Sequence, residues 1–523
     1  MRPEQHPGNN PSSNILDESE FLALISERVK KLLLISRFGA KNSSSFQLLS
    51  RKYLGDLKIE ATRTEETLDF YGAKSNDKWF SFREAVSAAK NFSDIAYILM
   101  HIQKTVPSYQ LIEIKDKFPE AADDAVNIVH KTISNIAREL ISTSKKCGID
   151  IDKGESFDMH FDDTQLSGKL EITRQKRHVD EPGKMVTHIA TAFLNLAEES
   201  ELLGIHNRLQ QCDYAGCIPN LISEAALRKY EAQFHNLQAL YDTHIANSDI
   251  EIQDRDLPII RGHISIIFHL LEIATGLSHY YERHLRTYSK GLFAKIKSPI
   301  SEKHILNLLV DFSLAFSDKF LEATQNLCRG MLKRYAEIGE VEVPVPNYRG
   351  FHVRPSTLVA KIVLHYGSEV QLIMGDEEYD ASQPLELFRV NEKINAEKRR
   401  KLYEYINDLQ IIKLGEKQSD LRKGLRRVFF QLLENQKIVN YCANFNFDEL
   451  EPQRDESLPE FAKRSIAHFL ALGQIDIRTD LTVKFRGDKR VLEDLKLLAE
   501  NGYGEDDFGN NIVLPKELGY LRR

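Results

Sequence analysis

The chain has 523 residues, 42% hydrophobic and 28% charged, with a formal net charge of −7. That length implies two to four domains, and that composition excludes both wholesale disorder and a membrane-embedded chain. A mildly acidic balance gives no global argument for nucleic acid, leaving only local patches to consider.

Residues 1–14 are rich in Pro, Asn and Ser, lack the apolar stretch of a signal peptide, and read as an unstructured arm. From 15 to 338 the pattern is helical. Phe21, Leu24, Ile25, Leu32 and Ile35 recur at three- and four-residue spacing behind a capping residue, Asp17. Similar stripes run through 82–103, 121–145, 186–203, 222–245, 258–288 and 304–335. Ile264 to Leu277 is the most apolar stretch; His269 and Glu272 interrupt it, and it is too short to span a bilayer. Near 149–178 the apolar–polar alternation of Phe157, Met159 and Phe161 predicts a small extended insertion.

The texture changes at Gly339. Val341–Val345 alternates as a strand; a helical stripe (Leu358, Val359, Ile362, Val363), a second strand (Val370–Met374), a Gly375-Asp376 turn, another extended piece and a short helix at Leu385–Val390 follow. Residues 392–475 read as a charged helical segment. Leu481–Phe485 then resembles a strand and Val491–Ala499 a helix, with 504–523 as a C-terminal tail. The fold class expected is therefore a mainly α N-terminal helical region plus a small α+β sandwich with helices on one sheet face.

The heptad Gly350-Phe-His-Val-Arg-Pro-Ser356 carries the chemistry. Pro355 suits the first turn of a helix, whose free backbone N–H groups, expected at Ser356, Thr357 and Leu358, favour an anion. Arg354 adds a planar cationic fork matched to phosphate. A neutral imidazole at His352 is a nucleophile, and what it would attack and carry is a phosphoryl group.

These residues resemble the active-site pattern of HPr, the histidine-containing phosphocarrier of the phosphoenolpyruvate-dependent sugar phosphotransferase system. That pattern is Gly, an apolar residue, His, any residue, Arg, Pro and a small residue, met here by Gly350, Phe351, His352, Arg354, Pro355 and Ser356. The resemblance implies an HPr-like open-faced sandwich, phosphorylation of His352 on Nδ1, Arg354 stabilising the phosphoryl group, and a partner surface including Phe351, Leu385 and Phe388. It covers about 339–391 continuously; the missing strand and helix are expected within 476–503, after a helical insertion at 392–475. The regulatory serine of many family members falls on Gln383, with Ser382 one residue early, so control by the corresponding kinase is not implied. Implied partners are phosphotransferase enzyme I or another phosphoryl donor, and an acceptor or effector protein. The chain would then be a phosphoryl carrier or phosphorylation-state sensor coupled to a helical effector region, rather than a free-standing enzyme. The rival readings are a scaffold using a degenerate HPr-like docking module, and an enzyme housed in the N-terminal helices.

Weaker features have plainer readings. Asp158–Asp163 reads as a solvated acidic loop rather than a cation site. His263, His269, His279 and His284 read as structural histidines, because no Glu-x-x-His pair accompanies them. Lys393–Arg427 holds eleven basic and five acidic residues, including Lys398–Lys401, and reads as a solvated face; thin aromatic interleaving argues against nucleic acid. No phosphate-cradling glycine loop or dinucleotide fingerprint occurs, and no cofactor or metal is expected. Five cysteines, an odd and sparse set, point to a reducing cytoplasm, with Cys212 and Cys217 as small core residues.

Overall fold

The computed structural model describes residues 15–42, 50–112, 114, 117–149, 161, 170–171, 173, 178–179, 181–211, 213–286, 300–409, 421–442 and 445–522. The arm at 1–14 and the acidic loop at 158–163, Phe161 excepted, lie outside them, as does most of the extended insertion predicted at 149–178. The chain is mainly α-helical with a small antiparallel sheet toward its C-terminus, and divides into two compact units. The first holds residues 1–182 and 196–325; the second holds 183–195 and 326–523.

The first unit is built from α1 (Glu18–Lys41), α2 (Arg51–Phe70), α3 (Asp77–Thr105), α4 (Phe118–Lys146), the end of α5 (Pro182–Glu199), α6 (Ile205–Gln210), α7 (Tyr214–Cys217), α8 (Glu224–His244), α9 (Asp249–Gln253), α10 (Asp256–Tyr280), α11 (Glu302–Asn307) and the first half of α12 (Ala315–Arg334). Asp17 caps α1 by accepting from the N–H groups of Ser19 and Glu20, and Asn76 caps α3 in the same way, satisfying donors that the helices cannot. The stripe predicted on α1 is the buried face: Phe21, Ile25, Leu32 and Ile35 lie in the core, Leu24 at its edge. Helix α3 packs against α2, α4 and α10, so its apolar face extends almost all round.

A π-turn over Tyr281–Leu285 extends α10, giving a 30-residue helical run, Asp256–Leu285, that is long and apolar enough to cross a membrane. The apolar stretch Ile264–Leu277, itself too short to span, lies inside this longer run, where His269 and Glu272 pair with each other at 2.7 Å. Two-thirds of the run's most apolar window is buried inside the protein (67%). Cys217 is buried as expected but disulfide-bonded, a pairing that a count of sparse cysteines did not foresee.

In the second unit β1 (Ile338–Pro344), α13 (Val353–Tyr366), β2 (Val370–Met374), β3 (Glu377–Asp380) and α14 (Pro384–Asp408) follow in order. After an excursion, β6 (Thr482–Asp488) enters between β1 and β2, antiparallel to both, and the helix Lys489–Glu500 follows it. The strand order is β1-β6-β2-β3. Phe485 pairs with Val341 on one side and Leu372 on the other. Val343, Leu372, Tyr379, Val483 and Phe485 are buried, while Lys484–Glu340 and Arg486–Glu378 pairs stand exposed, so the sheet has one packed and one solvated face.

The excursion is not wholly helical. The second helix, expected to be short, runs on to Asp408, because no Gly or Pro follows Pro384 within it. The helices Leu421–Glu434 and Leu458–Ala471 follow, joined by a two-stranded sheet of β4 (Ile438–Asn440) and β5 (Ile475–Ile477). This segment has its own core around Leu402, Leu425, Phe429, Phe461, Ile466 and Phe469. On Leu421–Glu434 Leu421, Leu425, Val428, Phe429 and Leu432 turn inward and Arg422, Lys423, Arg426 and Arg427 outward.

Candidate functional site

The loop between β1 and α13 turns through two consecutive residues with positive φ, Arg349 (52°) and Gly350 (63°). A side chain at 350 is disfavoured by that backbone and blocked because its Cβ would meet Asn391 Oδ1 at 2.1 Å. Asn391, on α14, takes up this space: its Oδ1 accepts from Phe351 N–H (2.9 Å) and its amide donates to the Arg349 carbonyl (3.0 Å). Arg349 N–H donates to Asp476 Oδ2 on β5 (2.7 Å). The turn is therefore held from both the small sandwich and the excursion.

Its product is the placement of His352 as the N-cap residue of α13, with extended backbone and a side chain 25% exposed. Ser356 N–H donates to the His352 carbonyl, closing the first helical turn. The expected anion-binding amides are corrected accordingly. Pro355 is the third helical residue, so Ser356, Thr357 and Leu358 have their N–H groups inside the helix, and the groups without an intrahelical acceptor are those of Val353 and Arg354. The Ser356 hydroxyl, fully buried, donates to the Phe351 carbonyl (2.8 Å), and that of Thr357 to the Val353 carbonyl (2.6 Å).

His352 Nε2 donates to Glu505 Oε2 at 2.7 Å. A carboxylate only accepts, so this bond puts the ring proton on Nε2 and leaves the lone pair on Nδ1. Tyr348 packs edge-to-face on the imidazole, with centroids 5.4 Å apart. Arg354 shares the same carboxylate, with Nε 4.0 Å from Glu505 Oε1, and its guanidinium donates to Asn511 Oδ1. Glu505, itself buried, thus couples the two residues predicted to do the chemistry.

Glu505 was missed in the sequence, where 504–523 read as a tail. The segment instead folds back: Tyr503 is buried and donates to the Pro344 carbonyl (2.7 Å), Glu505 bridges to Asn511, and Leu514, Leu518 and Leu521 are buried. The signal available was the cluster Gly504, Gly509, Asn510 and Asn511, which marks a tight turn rather than a loose end. Gly509, at φ 81°, lies against Tyr348, where a Cβ would approach the ring to 2.5 Å.

Of the expected partner surface, Phe351 is fully buried, packed edge-to-face on Phe485 and Tyr503, so it is core. Leu385 is 71% exposed and Phe388 half-buried. In the first unit the four histidines are each engaged: His263 accepts from Ile112 N–H (3.1 Å) and bonds Thr324 (2.7 Å), while His269, His279 and His284 pair with Glu272, Glu224 and Glu84. Burial pushes the His263 imidazole down to about 4, keeping it neutral.

His352 opens onto a cavity of about 710 Å³ between the small sandwich and the excursion. Arg349, Asn391, Asn395, Lys398, Arg399 and Asp476 give it a polar side; Leu470, Ala471, Leu472 and Ile475 give it an apolar one. Arg354 is not among its lining residues. No protein-family model matches the chain, and neither a curated protein nor a solved structure matches it.

Proposed function

We propose that the second unit is an HPr-like phosphoryl carrier, with His352 as the phosphoacceptor. The observation that carries the reading is the 2.7 Å contact between Glu505 and Nε2 of a helix-capping histidine, which in the neutral ring favours the proton on Nε2 and the lone pair on Nδ1. Further support comes from the motif's position between a first strand and a first helix. The late strand and helix, Thr482–Asp488 and Lys489–Glu500, also supply the pieces that the resemblance lacked within 339–391.

In the transfer, Nδ1 attacks the phosphorus of a phosphoryl donor. The N–P bond forms as the donor's bond to phosphorus breaks, and the leaving group keeps that electron pair. The Nε2 proton stays on the ring, and Glu505 stabilises the positive charge that develops there, the part played by the carboxylate behind a catalytic histidine. The N–H groups of Val353 and Arg354 and the helix dipole favour the arriving anion. Arg354 acts through the carboxylate it shares with His352 and, once the phosphoryl group arrives, as a charge near it. The addition of close to two negative charges at the start of α13 is a change that a partner protein can read.

The test is incubation with phosphoenolpyruvate and enzyme I, followed by counting acid-labile phosphate. The wild type should take up about one phosphoryl group per chain, and His352→Ala none. Equal labelling of both proteins, or no labelling with several enzyme I sources, contradicts the proposal.

A further inference from the structure

Lys398 on α14 is only 1% exposed, and its ammonium has no hydrogen-bond partner among the described residues. A buried ammonium without a partner is among the most costly features a fold can carry. Sequence reading grouped Lys398 with Arg399, Arg400 and Lys401 as a solvated face, yet Lys398 is buried while Arg400 and Lys401 are exposed. Its one favourable charge contact is Asp476, and that carboxylate accepts from the N–H groups of Arg349 and Ile477 rather than from the lysine. Lys398 lines both the His352 cavity and a second one beside Tyr405 and Lys437, and Asp476, its charge contact, belongs to the first.

The cavity gathers Arg349, Lys398 and Arg399 against the single carboxylate of Asp476. That imbalance matches a dianion such as a phosphate monoester, which carries about −1.5 to −2 charges near neutral pH. The same cavity is also lined by the apolar residues Ala467, Leu470, Ala471, Leu472, Ile475 and Ile477. Bare phosphate would leave those residues wet, and the cavity's volume admits a small organic group. We infer that this cavity is a binding site for a phosphorylated small molecule, its phosphate bonded to Lys398 and Arg349 and its organic part against Ala467, Leu470, Ala471 and Leu472. The bound phosphate supplies the acceptor that Lys398 lacks. Occupancy beside His352 would let a metabolite control access to the histidine.

The inference does not require phosphoryl transfer onto His352, and calorimetry on the full chain separates the two. Inorganic phosphate, glucose 6-phosphate and adenosine 5′-monophosphate are titrated into the wild type, Lys398→Met, Ala467→Phe and His352→Ala. At least one organic phosphate should bind the wild type about tenfold or more tightly than inorganic phosphate, and Lys398→Met should weaken it by about tenfold or more while melting no lower than the wild type. Ala467 is exposed, so Ala467→Phe should fold and lose only the advantage of the organic phosphate. Binding retained by His352→Ala supports the site even where phosphotransfer fails. Failure of all three probes to bind the wild type, or equal binding by Lys398→Met, overturns it.

Discussion

Each unit buries a cation, and they treat it in opposite ways. In the first unit Arg83 on α3 is held by Asp69 through two bonds of 2.8 Å, with Glu84 at 2.9 Å and Glu65 at 3.3 Å. In the second unit the buried ammonium of Lys398 has no hydrogen-bond partner among the described residues, and the residue lines two cavities. The first arrangement explains itself within the fold: the charge is balanced and the donors are used. The second leaves its donors unused. The same contrast holds for histidine, since His263 is locked between Ile112 and Thr324 whereas His352 has only one ring nitrogen engaged. Pairing marks groups kept for structure, and its absence marks the groups available for binding or transfer.

Substitutions can break this comparison. The largest effect should come from Arg83→Met, which leaves buried Glu65 with Lys90 and Ser87 but without its guanidinium and should cost about 3–5 kcal/mol, measured by urea unfolding of the wild type and variant. Gly350→Ala comes next. Its positive φ and the contact with Asn391 should destabilise the second unit by about 1–3 kcal/mol and abolish labelling of His352, because the turn that aims the imidazole cannot form.

A pH experiment sharpens the contrast from another side. Burial lowers His263 in the first unit to about 4; in the second, burial and then Arg329 lower His365 to about 3. Both are bases neutral in the fold, so the unfolded chain binds their protons first as pH falls below about 6.5. Stability from these groups is therefore full above that pH and lost as pH drops toward 4, by up to about 3 kcal/mol each. Urea midpoints at pH 7.5 and pH 4.5 should differ, and His263→Gln should flatten the difference. The smallest effect belongs to Lys398→Met. Loss of an unpaired buried charge should leave stability unchanged or raise it by about 1 kcal/mol, whereas a structural lysine would lower it.

The local geometry was legible in the sequence and the long-range contacts were not. Gly350, His352 and Arg354 could be read as a candidate site because they stand within one turn of chain. The late strand at Thr482–Asp488 could be anticipated because its alternation is strong and β1 and β2 needed a neighbour. Glu505 could not: it reaches His352 across 153 residues of sequence, and nothing in an acidic run distinguishes the buried carboxylate from exposed ones. Lys398 was hidden for the same reason, since a basic run does not say which member turns inward. Phe351 was misread as surface because a motif gives residue identity and not side-chain direction, and the Gly350 turn points it at Phe485.

The most direct test of the carrier reading bypasses any partner enzyme. Full-length protein treated with potassium phosphoramidate, a chemical phosphorylating agent, is examined by phosphorus–proton correlated NMR alongside His352→Ala. A phosphohistidine signal at Nδ1, absent from His352→Ala, is the expected result. Phosphate on Nε2, or a spectrum that His352→Ala leaves unchanged, would contradict a site in which Glu505 keeps Nε2 protonated and Nδ1 free to react.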